Sequence, residues 1–329
     1  MDSAFRMRNV RFQPGRTLNS STIASIILAS TFLSACAGCA GKSQFYSKLT
    51  PRDELRETKT PVAFRYGKPN WCLDGMQKIV ELPSRVMLGG RLKADCLPSE
   101  ETHEVLTDYL QENDLADIPV LVNDYDPLGQ WQRLRENDQV SPGWKYTAGV
   151  VGLVNYTLFP GRVFARDTYS PFTNTLQVNT GRLSDSLHAA AYAKDIRARK
   201  TPGTYAVVNS LPGIALWKTT IAVHDVVGYA QAKDSWQLES GVYRDQYPQV
   251  AVKTMAPVGL FMTPVGNVAL AVSGGAVGYA VGRTVEQQRL AERDAVKVAD
   301  EELSGRATIE NADESHSNDS EESGEEFGT

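Results

Sequence analysis

Val163-Phe164-Ala165-Arg166, then Thr175-Leu176-Gln177-Val178-Asn179, then Leu187-His188-Ala189-Ala190-Ala191-Tyr192-Ala193-Lys194-Asp195 is the stretch whose reading decides the fold. The first two segments alternate or cluster apolar and β-branched residues and predict short strands. Asp167 to Asn174 between them is rich in Asp, Ser, Pro and Asn and predicts a turn. The third segment, within Leu183 to Arg199, predicts a helix that ends before the breaker Thr201-Pro202-Gly203. On that helix His188, Tyr192 and Asp195 fall at i, i+4 and i+7 and share one stripe.

Working outward, Ser99 predicts an N-cap for a helix over Glu100 to Gln111, where Val105, Leu106, Tyr109 and Leu110 recur at helical spacing. Pro119 to Asn123 predicts a buried strand, and Leu128 to Glu136 a helix after the turn Asp124-Tyr125-Asp126-Pro127. Trp144 to Phe159 carries no charge after Lys145 and predicts a core or membrane-apposed helix. A further helix is expected over Ile214 to Ala230. The whole predicts an α+β fold with a small sheet and packed helices.

Thr254 to Gly282 is uncharged, bounded by Lys253 and Arg283, and long enough to cross about 30 Å of hydrocarbon as one helix. Gly274, Gly278 and Gly282 recur every fourth residue, so this apolar C-terminal segment is a glycine zipper open to a close-packed partner helix. That partner is either a second membrane helix or a neighbour within a soluble domain. Residues 283–303 predict a polar helix, and residues 304–329, rich in Ser, Glu, Asp and Gly, a disordered acidic tail. The net charge of -5 belongs to that end: the ten Asp and Glu of residues 301–329 face only Arg306.

At the other end, Arg6, Arg8, Arg11 and Arg16 precede an uncharged run whose apolar centre, Ile23 to Leu33, suits a secretory signal. It closes on Leu33-Ser34-Ala35-Cys36, which resembles a bacterial lipobox. The resemblance implies that residues 1–35 are a lipoprotein signal peptide and that Cys36 carries acyl chains such as palmitate. Ala37 after that cysteine leans toward the outer rather than the inner membrane. Residues 36–60 then read as a tether and 61–253 as the folded domain. Export places Cys72 and Cys96 in an oxidising compartment, where they are expected to form a disulfide. An exported protein meets no nucleic acid, and the cluster Arg197, Arg199 and Lys200 reads as charge at a helix C-terminus.

Strands followed by such a helix are where zincin metallopeptidases carry H-E-x-x-H, two imidazoles for zinc and a glutamate beside its bound water. Asp167 to Thr175 together with Leu187 to Asp195 resembles a zincin-related group of bacterial envelope proteins. In that group a Pro-aromatic-Thr-Asn-Thr turn, here Pro171-Phe172-Thr173-Asn174-Thr175, precedes an H-E-x-x-H-A-K-D-like helix. The resemblance spans about residues 61–283 and implies a zincin-like core with a degenerate motif. His188 stands at the first ligand, Ala189 at the general base and Tyr192 at the second ligand, so the base and one ligand are lost. Hydrolysis needs an activated water and a base to take its proton, so catalysis is not expected.

Three functions follow as expectations. The first is a lipid-anchored scaffold or binding module with membrane and envelope-protein partners, His188, Tyr192 and Asp195 satisfying one another by hydrogen bonds. The second is a divergent metal hydrolase holding zinc on His188, His224 and Asp225, with Asp195 as a further donor. The third makes residues 254–282 a structural membrane element.

Overall fold

The computed structural model describes Tyr46 and residues 61–87, 99–164, 166–211, 214–259 and 264–321. Cys36, the signal segment, the tether apart from Tyr46, and Cys96 lie outside these residues.

Helices predominate around a small mixed sheet. In chain order the elements are β1 (Phe64–Tyr66), α1 (Trp71–Met87), α2 (Glu100–Glu112), β2 (Val120–Val122) and α3 (Pro127–Glu136). A single turn, α4 (Pro142–Trp144), passes through a π-turn at Lys145–Gly149 into α5 (Val150–Leu158). Then follow β3 (Thr168–Ser170), β4 (Thr175–Val178), α6 (Leu183–Arg197), α7 (Pro202–Val208), α8 (Ile214–Ala232), α9 (Trp236–Gly259) and α10 (Pro264–Glu321). The sheet order is β1-β2-β4-β3, with β1, β2 and β4 parallel and β3 antiparallel at one edge. Parallel neighbours require crossovers, supplied by α1 and α2 and then by α3 to α5. Val120, Leu121, Val122, Leu176 and Val178 are buried, so the central strands have both faces covered and read as continuous apolar runs.

The start of α2 follows its sequence: the Ser99 hydroxyl accepts from the Thr102 N–H at 3.2 Å, and Leu106, Tyr109 and Leu110 are buried. The hairpin differs. Residues 161–164 form turns and the first strand is Thr168–Ser170, inside the segment expected to be the turn. Tyr169 is buried there and its hydroxyl donates to Asn174 Oδ1 at 2.9 Å. Asn174, at φ 47°, makes the reversal in the left-handed region that asparagine tolerates. Residues before it are held elsewhere by Arg162, a buried guanidinium that pairs with Asp74 at 2.6 Å and donates to the carbonyls of Lys68 and Asn123.

The surroundings of Cys72 form a helix, α1, whose first turn is capped by Asn70 Oδ1 accepting from the Cys72 N–H at 3.1 Å. Cys72 faces solvent there as a free thiol, and Cys96, its expected disulfide partner, lies outside the described residues. In the segment from Trp144 to Phe159 Leu153 is buried while Val151, Val154, Leu158 and Phe159 are exposed, so of its two expected readings the core helix is not met and the membrane-apposed one is left open.

The uncharged run 254–282 is shared between two helices, α9 ending at Gly259 and α10 beginning at Pro264. They pack as an antiparallel pair through the glycine stripe. A Cβ on Gly278 would lie 2.6 Å from Ala251 Cβ, and one on Gly282 2.2 Å from the Tyr243 carbonyl oxygen. The close partner of the zipper is thus α9 of the same chain. Gly266–Glu302 remains, by length and composition, a helix able to cross a membrane, and Val268, Val272 and Val277 on it are exposed. The helix continues past Leu303 to Glu321.

Candidate functional site

The element that carries the motif, α6, lies against α2, β3, α8 and α9. Its alanines make this close approach feasible: Ala189, Ala190, Ala191 and Ala193 are all buried, with Leu187 and Ile196. Ala189, expected from the motif resemblance to stand at a general-base position, is therefore a methyl group inside the packing. Polar residues fix the helix from its N-terminal side. Asp167 accepts from the N–H groups of Asn179 and Thr180 and from the hydroxyls of Thr180 and Ser186, at 2.7–2.9 Å. Burial and the nearby Asp185 charge push the Asp167 carboxyl up to about 7, against the pull of those hydrogen bonds. Asp185 is itself held by Arg182 at 2.6 Å and by the side-chain amides of Gln246 and Gln249. Ser184 donates to Asp245 on α9 at 2.7 Å.

The expected site residues are dispersed. Asp225 accepts a hydrogen bond from the Tyr109 hydroxyl and pairs with Lys194 at 2.5 Å. Asp195 pairs with Arg199 at 2.5 Å and accepts from the Tyr205 hydroxyl at 2.7 Å, tying α6 to α7. Tyr192 stacks edge-on against Tyr169 at a centroid distance of 6.3 Å. The stripe of His188, Tyr192 and Asp195 therefore does not satisfy itself: each member turns to different neighbours, because residues a full turn apart on one helix each face another packed element. Nor do His188, His224 and Asp225 gather as the metal trio. Among the described residues no three His, Cys, Asp or Glu side chains form a metal-holding group. His224 is half-buried on α8, and burial lowers its pKa.

His188 finds a different environment. Its Nδ1 is shut from solvent and meets no hydrogen-bond partner. Burial lowers the imidazole to about 3, with the positive charges of Lys253 from α9 and Lys218 from α8 acting in the same direction, so it is neutral at neutral pH. Lys218 Nζ lies 4.6 Å from the centroid of the Tyr192 ring, one turn along α6 from His188, and burial lowers its pKa as well. Lys253 has an exposed side chain, but desolvation of its ammonium, then the charges of Lys218 and Arg166, lower it to about 8. These lysines escape a motif search. Their only mark in sequence is isolation: Lys218 is the sole charged residue between Lys200 and Asp225, and Lys253 the sole one between Asp245 and Arg283.

An imidazole facing two ammonium groups can donate hydrogen bonds to an anion. It is poorly placed to hold a dication, which the same lysines would repel. Comparison of the chain with family models, with curated proteins and with solved structures returned no match.

Proposed function

We propose that the protein is a lipid-anchored protein of the bacterial envelope whose domain, residues 61–253, has a zincin-like core with substituted catalytic positions and acts as a binding module or scaffold. A mixed sheet with an antiparallel edge strand, followed by the helix that bears His188, supports the zincin-like part of this reading. The observation that carries the loss of catalysis is the placement of Lys218 and Lys253 around His188, with Asp225 committed to Lys194 and Tyr109. A peptidase would need acidic groups and a metal-bound water where this chain puts ammonium groups. Cys36 in its lipobox supports the anchor, and the outer membrane is favoured by Ala37.

The test uses the full chain purified from membranes. Casein and a peptide library should show no hydrolysis above that of the His188→Ala variant, and hydrolysis by the wild type that disappears in His188→Ala would overturn the reading. Labelling with radioactive palmitate should mark the wild type and not Cys36→Ser; label retained by the variant would remove the anchor.

A further inference from the structure

Phe45 and Tyr46 are the only aromatic residues between Cys36 and Pro61, in a stretch whose other residues suit a solvated tether. The Tyr46 ring is nonetheless half-buried, against side chains from three helices of the domain. Its centroid lies 5.4 Å from that of Tyr229 on α8, edge-on at 66°, and 6.4 Å from that of Tyr109 on α2. Lys194 of α6 holds its ammonium 4.4 Å from the same centroid, within range of a cation–π contact. Asn113, wholly buried at the end of α2, donates from Nδ2 to the Tyr46 hydroxyl oxygen at 2.7 Å.

The walls around this ring are fixed by contacts that do not involve it. Asp225 holds the Lys194 ammonium, and its other oxygen accepts from the Tyr109 hydroxyl. Asn113 Nδ2 also donates to the Tyr109 carbonyl at 2.8 Å, which orients the amide. A receptor ordered in advance loses little freedom when a ring enters it, so more of the contact energy appears as binding. We infer that the domain carries a preformed site for one tyrosine side chain, built by Tyr109, Asn113, Lys194 and Tyr229, and that Tyr46 docks the residues ahead of the domain into it. A phenol fits this chemistry because its face meets the ammonium and its oxygen meets the amide, which an aliphatic side chain cannot reproduce. For an anchored protein the consequence is one of reach. Cys36 to Pro61 is twenty-five residues, about 85 Å when fully extended, whereas Cys36 to Tyr46 is ten, about 35 Å. Docking thus more than halves the longest stand-off that the tether allows. That consequence, unlike the docking itself, rests on the reading of Cys36 as the lipid anchor.

Lys48 stands two residues beyond Tyr46, and trypsin must draw the residues on both sides of a bond into its cleft, so a docked Tyr46 shields the bond after Lys48. The full chain in detergent is digested with a trace of trypsin, and cleavage after Lys48 is followed by mass spectrometry. Tyr46→Ala should speed that cut by about fivefold or more, because the rate follows the undocked population. Asn113→Ala leaves the sequence around Lys48 intact and should speed the same cut, with circular dichroism checking that each variant folds. An unchanged rate in folded Tyr46→Ala, or acceleration there that folded Asn113→Ala does not reproduce, overturns the inference. Should Asn113→Ala not fold, a photoreactive benzoylphenylalanine placed at position 46 decides instead: cross-links to peptides holding Tyr109, Asn113 or Tyr229 support the docking, and their absence overturns it. Palmitate label retained by Cys36→Ser would remove the anchor and the stand-off while leaving the docking in place, so the two failures are told apart.

Discussion

Lys194 Nζ lies 2.5 Å from Asp225 Oδ1, with the two side chains 8% and 17% exposed, and the Tyr109 hydroxyl donates to the other carboxylate oxygen. The same ammonium sits 4.4 Å from the ring centroid of Tyr46, which itself meets Tyr109 and Tyr229 and accepts from the Asn113 amide at 2.7 Å. Lys194 is six residues beyond His188, roughly 120° away around α6. The acid most attractive as a metal ligand is therefore a structural tie between α6, α8 and α2 on another face. Removing one partner of an enclosed ion pair leaves the other charge uncompensated, so Lys194→Met should cost about 2–4 kcal/mol in urea denaturation. Lys194→Met with Asp225→Leu should recover more than half of that loss; a double variant as unstable as the single one would show that packing, not charge, governs the tie.

Asp167 gives the fold a pH dependence of known sign. Its folded-state pKa is raised to about 7 from 3.8, so between those values the folded chain holds a proton that the unfolded chain has lost. The stabilisation is full below about pH 4 and declines as pH rises through 7. His188, lowered to about 3, acts in the opposite sense: the unfolded chain binds its proton first, and stability falls as pH drops below about 6.5. Asp167→Asn isolates the first effect. Its amide can still accept from the Asn179 and Thr180 N–H groups, and it does not titrate. Relative to this variant, the wild type should lose a few kcal/mol, on the order of 2–4, between about pH 4 and 8 in denaturant midpoints. A flat difference curve would mean that the four hydrogen bonds hold Asp167 ionised throughout.

These two residues also mark how far the sequence could be read. Asp167 lay in a segment whose composition announces a turn, and β3 begins beside it because Tyr169 has a buried slot against Tyr192 that no local pattern encodes. Where the apolar spacing was regular and the caps explicit, as in α2 with Ser99 and in the run of β2, the chain folds as read. Helix α9 had no such signature. Glu239 and Gln246 are buried in it among Leu238, Val242, Tyr243 and Tyr247, Glu239 paired with Arg289 of α10 and Gln246 with Asp185 of α6, so its inner face mixes polar and apolar residues and the helical stripe is masked. The same reason hides the site. His188 was visible through its resemblance to a motif, whereas Lys218 and Lys253 meet it only through the packing of α6 against α8 and α9, and a lone lysine in an apolar run reads as a surface side chain.

The glycine stripe of α10 offers a test in which neighbouring substitutions should have opposite signs. A Cβ at position 282 would stand 2.2 Å from the Tyr243 carbonyl oxygen, and one at 278 2.6 Å from both Ala251 Cβ and the Tyr247 carbonyl oxygen. Those contacts are with the backbone and packed face of α9, so Gly282→Ala and Gly278→Ala must push the helices apart, at a cost of about 1–3 kcal/mol each. Separation would also strain the pairs Arg244 to Glu286 and Arg289 to Glu239 that close the α9–α10 seam further along. At Gly275, one residue from Gly274, the added carbon meets only Val252 Cγ2 at 3.7 Å, an ordinary contact. Gly275→Ala should therefore stabilise by up to about 1 kcal/mol through helix propensity alone. Thermal unfolding of the three variants checks the ordering. Equal effects of Gly278→Ala and Gly275→Ala would show that the stripe does not seat α10 on α9 and would leave its face available to a partner outside the chain.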